Sequence, residues 1–284
     1  MALYVKGSEI MNKDMVNYET YHAEGRTSEF DDTFEQLRAK SIRDVLRWHQ
    51  QLNSAKKVVD IGAGEGRYIP VWQREISGVD LTVVEYSKIA SERSVAKFPS
   101  VKHVMASAED LPLPDNTYDA LVTVEVIEHV PDDMMMLKEC FRVLRPGGWA
   151  LISTPCGNAG SYESKVNRRA GQLKVLPEGI VVFGKTEDPT HVRRYLSDEL
   201  IRRCEAVGFE FKAKYFNIHF FGTLANNFNA FILSRVNLRR RSLFLSNLFN
   251  NLVLGIGMLD WVLFRNMSSG STMIILVGKP EGSR

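Results

Sequence analysis

The stretch VVDIGAGEG (58–66) sets a short apolar run, with the acid Asp60 in it, directly against a G-x-G-x-G turn. Valine and isoleucine in so short a run suit a strand covered on both faces, as in a parallel sheet. Glycines follow because the chain must turn tightly there, and because backbone without a Cβ can come close to a ligand. Many strand-to-helix connections share such a turn, so by itself it marks no more than a tight connection. A second acid sharpens the reading: Glu85 ends the next run, LTVVE (81–85). A carboxylate at that point in a wound sheet can hold the two hydroxyls of a ribose. Asp80 competes for the role but precedes the strand instead of ending it.

Outward from this turn, the same rhythm continues. VKHVM (101–105), DALVTVE (119–125) and WALIST (149–154) read as further strands. SKIASERSVAKF (87–98) and MMMLKECFRVL (134–144) read as helices between them, and LRPGG (144–148) turns the chain into the next strand. Alternation of this kind predicts an α/β fold with a doubly wound, mostly parallel sheet. Upstream, FEQLRAKSIRDVLRWHQQL (34–52) has helical character. Downstream, 156–190 reads as a loop-rich lid, and LSDELIRRCEAVGF (196–209) as a helix with Ser197 or Asp198 as its cap. FEFKAKYF (209–216) and STMIILVGK (271–279) read as late strands. The chain therefore divides into an N-terminal helical or flap segment (1–55), a core (56–215), an apolar insertion (216–266) and a final strand with its tail (267–284).

Composition narrows the classes. Of 284 residues, 44% are hydrophobic and 25% charged, which excludes wholesale disorder. Lys plus Arg is 36 against 34 for Asp plus Glu, a formal charge of +2, so no chain-wide field exists for gripping nucleic acid. Three scattered cysteines, Cys140, Cys156 and Cys204, form neither a disulfide framework nor a zinc knuckle, and fit a reducing cytosol. Glu9, Asp14, Glu19 and Glu24 interrupt the first 25 residues, which argues against a secretory signal and for a cytoplasmic protein.

Five segments together, VVDIGAGEGRY (58–68), VVEYS (83–87), ASAEDLPLPDNTYDALV (106–122), EVIEHVPD (125–132) and LKECFRVLRPGGWALISTP (137–155), resemble the class I S-adenosylmethionine-dependent methyltransferases, in particular the small-molecule type that includes the quinone-pathway enzymes. A dehydrogenase would be expected to keep a longer G-x-G-x-x-G turn, and here position 67 is Arg67. The resemblance implies a Rossmann-like, seven-stranded, mostly parallel sheet with a helical apolar insertion before the last strand. It also implies S-adenosylmethionine as cofactor, with Gly62, Ala63, Gly64 and Gly66 cradling the methionyl part and Asp60 orienting it. Glu85 would hold the ribose, with Tyr86 beside it, and Ser107, Ala108 and Glu109 would meet the adenine. Ser107 stands where the family usually has Asp, and a neutral hydroxyl accepts more weakly than a carboxylate.

EVIEH (125–129) follows the fourth strand, at the edge where open parallel sheets bind their ligands. Methyl transfer needs positioning and exclusion of water, and a hydroxyl acceptor also needs its proton removed by a base or a metal. Glu125, His129 and His191 are the candidate catalytic residues, with His191 in DPTHVRR (188–194) the preferred base. Glu125 would also line the cofactor pocket. The E-x-x-E-H pattern occurs in ubiquinone-pathway and small-RNA methyltransferases that bind a divalent cation, which implies Glu125, Glu128, His129 and His191 as ligands. It also occurs in metal-free relatives, so both readings stay open. His191 has an alternative as a structural histidine capping the following helix. Arg193 and Arg194 either steer an anionic group or form a solvated pair, and Tyr18, Tyr21 and His22 fit an N-terminal flap.

FNIHFFGTLANNFNAFILSRV (216–236) and SLFLSNLFNNLVLGIGMLDWVLF (242–264) flank Arg239, Arg240 and Arg241. In the second, Leu245, Leu248, Phe249, Leu252, Ile256 and Leu259 recur at helical spacing. Asn247, Asn250, Asn251 and Asp260 argue against a membrane span, leaving either cap helices on the core or a peripheral contact with the cytoplasmic membrane face through 216–266. The expected substrate is a small-molecule or lipid-linked acceptor methylated at oxygen. A metal-assisted RNA 2′-O-methyltransferase and a catalytically silent, docking cofactor-binder are the alternatives, the former disfavoured by the near-neutral charge. The oligomeric state is not readable.

Overall fold

The computed structural model describes residues 3–4, 33–49, 52, 54–158, 173–175, 180–183, 191–219, 221–222 and 243–283. Five runs of Val, Ile and Leu form parallel strands: β2 (Lys57–Ile61), β3 (Asp80–Glu85), β4 (Lys102–Met105), β5 (Tyr118–Val124) and β6 (Leu144–Pro155). β11 (Thr272–Gly278) pairs antiparallel with both β6 and β10 (Glu210–Asn217). With β1 (Leu3–Tyr4) as a two-residue edge added to the seven strands that the sequence predicts, the order is β1-β4-β3-β2-β5-β6-β11-β10.

Alternate residues on each strand serve opposite faces. Leu121 and Ile275 enter one core cluster, with Leu137 of α4 (Asp133–Val143) and Leu200 of α5 (Ser197–Ala206). Ala120, Val122 and Ile274 enter the other, with Ile42 of α1 (Thr33–Trp48), Trp72 of α2 (Ile69–Glu75) and Trp261 of α6 (Leu243–Phe264). The helices start where capping chemistry allows. The Ser87 hydroxyl accepts from the Ala90 N–H at the start of α3 (Lys88–Lys97), and Asp132 accepts from Met135 at the start of α4.

Three details depart from the sequence reading. The cap of α5 is Leu196, with no side-chain cap bond. The Ser197 N–H is met by Asn158 Oδ1 at 2.9 Å, so neither Ser197 nor Asp198 has to cap. Within the expected loop-rich stretch, β7 (Leu173–Val175) and β8 (Ile180–Phe183) pair antiparallel and β9 (Arg194–Tyr195) joins them. The reason lies in LKVLPEGIVVF (173–183), two β-favouring runs on either side of Pro177, Glu178 and Gly179. Finally, α6 is helical as its spacing predicts, but Leu248, Leu252, Ile256 and Leu259 face outward, while Val253, Asp260 and Trp261 are buried. Among the described residues no helix is long and apolar enough to cross a membrane. Tyr18, Tyr21 and His22, and Arg239 to Arg241, lie outside the described residues.

Candidate active site

β2 sits between β3 and β5, so the chain leaves it in opposite directions and opens a crevice at its carboxyl end. The glycine turn occupies that crevice. Gly62, Gly64 and Gly66 have φ of +74°, +56° and +82°, a region that side chains disfavour. The N–H groups of Gly62 and Ala63 donate to Val84 O at 2.8 and 3.0 Å, tying the turn to β3. A Cβ on Gly62 would lie 2.3 Å from Val126, whereas one on Gly64 would meet nothing within 4 Å. Gly62 is thus required by packing, and Gly64 by backbone shape and an open approach.

Glu85 fastens this edge. Its Oε2 accepts from Gly64 N–H and its Oε1 from Ser87 N–H, both at 2.7 Å. Tyr86 beside it is largely exposed. Asp60 is buried and accepts from Trp72 Nε1 at 2.7 Å. Burial pushes its carboxyl up to about 7, against the Trp72 hydrogen bond and with help from nearby Glu85. On the far side of β3 and β4, Glu109 N–H donates to Ser107 Oγ at 3.2 Å, and Glu109 Oε1 accepts from Asp132 N–H at 2.7 Å. Ala108 packs half-buried on the core. Glu109 therefore ties the segment after β4 to the E-x-x-E-H segment.

Glu125 leaves β5 with φ +57°, unusual for a residue with a side chain, and its N–H donates to Ser153 O at 2.8 Å. A turn follows, closed by His129 N–H on Val126 O at 2.9 Å. Glu125 and Glu128 do not converge on one point. Glu125 Oε2 pairs with Arg38 Nη2 of α1 at 3.0 Å. Glu128, fully buried, accepts from the Thr154 hydroxyl at 2.9 Å through Oε2, and its Oε1 lies 3.8 Å from His129 Nε2 with no hydrogen-bond partner. Burial pushes both carboxyls above their usual range, with Arg38 opposing the shift at each and Thr154 opposing it at Glu128.

His191 reaches the same point from far along the chain. The N–H groups of Val192 and Arg193 donate to Glu128 O at 2.9 and 3.3 Å, and the rings of His129 and His191 stand 4.7 Å apart. Ligand atoms of Glu128, His129 and His191 all lie within 4.8 Å of one another. Glu125 is outside this group. Arg193 neither steers nor solvates: it pairs with Asp133 at 3.0 Å and donates to Pro131 O at 2.6 Å, while Arg194 is buried.

Sequence reasoning missed Arg38. It is buried between Glu125 and Glu35, and Glu35 also meets Arg67 at 3.0 Å and the Tyr68 hydroxyl at 3.3 Å. Burial works upward on the Glu35 carboxyl, yet Arg38 and Arg67 hold it below the usual range. The signal was present, since Arg38 stands four residues before Ile42 and thus on the buried face of α1.

Residues 59–152 match the methyltransferase domain family. A ubiquinone biosynthesis O-methyltransferase of Thiobacillus denitrificans is 31% identical over 159 residues, which cover 55% of this chain and 68% of that protein. The chain belongs to the S-adenosylmethionine-dependent methyltransferases. Solved structures show the same fold. A SAM-dependent methyltransferase of Thermotoga maritima matches with a TM-score of 0.55 at 18% identity, over 92% of this chain and 97% of that one. The [4+2]-cyclase SpnF matches at 0.57 and 17%, over 94% of each chain. One fold thus carries more than one reaction, and the chemistry must be argued from the site. The methyltransferase site fits S-adenosylmethionine: the turn leaves open space at Gly64, Glu85 stands at the end of β3, and Arg38 adds a buried cation beyond Glu125.

Proposed function

We propose that this methyltransferase acts on an oxygen of a hydrophobic or lipid-linked small molecule. The observation that carries the reading is the meeting of His129, His191 and buried Glu128, in the segment whose Val126 packs against Gly62 of the glycine turn. An amine acceptor can present a free lone pair, but a hydroxyl must give up its proton, and these residues supply a place for it. Bound S-adenosylmethionine supplies an electrophilic methyl group on sulfur. His191 accepts the hydroxyl proton on an imidazole nitrogen, and His129 packs against its ring to fix its direction. Val192 and Arg193, bonded to Glu128 O, hold His191 in place. The hydrophobic class of acceptor draws support from the Thiobacillus relative, an enzyme of ubiquinone biosynthesis.

The test is methyl transfer from labelled S-adenosylmethionine to a catechol bearing an isoprenoid chain, beside the same catechol without the chain. The tailed catechol is expected to be labelled with at least tenfold higher kcat/KM. His191→Ala should lose about two to four orders of magnitude in turnover while still binding S-adenosylhomocysteine. Full activity in that variant removes His191 as base, and labelling of neither catechol overturns the acceptor class.

The same cluster supports a second reading, a divalent cation held by Glu128, His129 and His191. The buried Glu128 Oε1 without a hydrogen-bond partner favours it. A carboxylate with two imidazoles suits several divalent ions, and a cation would lower the pKa of an acceptor hydroxyl. Calorimetric titration of the protein with Mg²⁺, Mn²⁺ and Zn²⁺ should show binding that His129→Ala abolishes. No heat with any of the three leaves the proton-acceptor reading alone.

A further inference from the structure

Asp133 opens α4 from inside the protein. An acid in the first turn of a helix meets the positive end of the helix dipole, and an exposed carboxylate is enough for that role. Asp133 is instead 4% exposed, and it gathers three side chains. Its Oδ2 accepts from the Tyr195 hydroxyl at 2.6 Å and pairs with Arg193 Nη1 at 3.0 Å. Its Oδ1 accepts from Arg203 Nη1 of α5 at 3.2 Å. Glu199 of α5 meets Arg203 Nε at 2.8 Å and adds a second carboxylate to the two guanidinium groups. A buried charge persists in such a place because it is paired and hydrogen-bonded.

Two of these partners lie on the chain that follows His191. Arg193 is held at three points: its N–H by Glu128 O at 3.3 Å, its Nη2 by Pro131 O at 2.6 Å, and its Nη1 by Asp133. All three points belong to one stretch, 128–133, which also carries His129. Tyr195 is tied through its backbone O, which accepts from Gly157 N–H at 2.7 Å, and through its hydroxyl to Asp133. The rings of His129 and His191, 4.7 Å apart, are thus placed from one side by the turn at 126–129 and from the other by the grip of Asp133 on Arg193 and Tyr195.

We infer that Asp133 is a positioning residue of this methyltransferase: through Arg193 and Tyr195 it sets His191 in place against His129. It touches no reactant and acts through the chain that follows His191. Its importance for turnover rests on the proposed role of His191, as base or as cation ligand. The planar fork of Arg193 suits the task, because one guanidinium meets Pro131 O and the Asp133 carboxylate together, whereas an ammonium is a single point charge. A plain staple between α4 and α5 would need only the Arg203 bond. Arg193 and Tyr195 direct the same carboxylate at the histidine segment.

The test labels the six histidines of the full chain with carbon-13 and reads their ring resonances by NMR, those of His129 and His191 assigned from His129→Ala and His191→Ala. The wild type should show a cross-peak between the two rings. Arg193→Met and Asp133→Asn should each lose it and shift the His191 resonances, while the other histidines and S-adenosylhomocysteine binding stay as in the wild type. Arg193→Lys, which keeps the charge but not the fork, should restore part of the cross-peak. In methyl transfer to the tailed catechol, Arg193→Met should lose about 10²-fold in kcat, as for a misplacement of about 1 Å, and should cost nothing further in the His191→Ala background. A cross-peak of wild-type strength in both Arg193→Met and Asp133→Asn overturns the proposal, even where both unfold at lower temperature, and leaves Asp133 a staple between α4 and α5. Absence of the cross-peak in the wild type overturns it as well. Full turnover by His191→Ala removes the base and not the placement, which the cross-peak reads by itself.

Discussion

Helices α1 and α6 pack on each other over the same face of the sheet, and they sort charge in opposite ways. α1 turns Leu37, Ile42, Val45 and Leu46 inward and puts Lys40 and Arg47 toward water, the ordinary amphipathic division. Its exceptions include Arg38, buried against Glu125, and Glu35, which pairs with Arg38 along the same helix. α6 has an apolar outward face, and its one charge, Asp260, is inside. A buried charge persists in both helices only because it has a partner, guanidinium to carboxylates in α1 and carboxylate to backbone N–H in α6. Near the glycine turn the protein keeps charge inside and directs it at the site, whereas at α6 it keeps apolar surface outside.

The strongest challenge to this contrast is Arg38→Ala, which leaves Glu125 and Glu35 buried without their shared cation. Loss of one partner of a buried pair costs about 3–5 kcal/mol, so a clear drop in the denaturant midpoint is expected, with weaker S-adenosylhomocysteine binding. An unchanged midpoint would show that the charge inside α1 is not structurally coupled to the site.

Next in size is the pH response of Asp60, whose folded pKa is raised to about 7. A raised folded value means that the folded state binds the extra proton. Its stability contribution is therefore fully present below the unfolded pKa of about 4 and is lost as pH rises through about 7. The cofactor-free protein should lose up to about 4 kcal/mol across that window from this group, since each pH unit between the two values is worth about 1.4 kcal/mol. Asp60→Asn should flatten the profile. Stability profiles that run parallel for the two proteins from about pH 4.5 to about pH 8 would refute the assignment.

Asp260→Ala probes the α6 side. It strands the Gly222 N–H in a buried position, for about 1–3 kcal/mol of destabilisation by thermal or urea unfolding. The smallest effect belongs to the outward stripe. Leu252→Ser and Leu259→Ser should each change stability by no more than about 0.5 kcal/mol, because exposed side chains away from the core contribute little to folding. A larger loss in either variant would mean that the outward face is packed in solution.

Several elements were legible from the sequence because local chemistry decides them. The strand preceding the glycines and Glu85 at the end of β3 depend on residues within a few positions of one another. The pairing of β7 and β8 was equally local, but the sequence Pro-Glu-Gly between them reads as loop unless the flanking runs are weighed as strands. The site was only partly legible. E-x-x-E-H presents its two carboxylates as equivalent, yet the turn sends Glu128 toward the histidines, while Glu125 pairs with Arg38, 87 positions away.

The α/β winding, the cofactor turn and the helical nature of α6 were all written in the chain, because period and glycine placement are short-range physics. Which face of α6 is buried was settled by packing. From Leu252 to Phe264 every position except Gly255, Gly257 and Asp260 is apolar, so hydrophobicity alone cannot choose a side there. The choice fell to Gly257, small enough to admit Leu37, to Trp261, which bonds Asp44 and stacks on Trp48, and to the Gly222 N–H that holds Asp260.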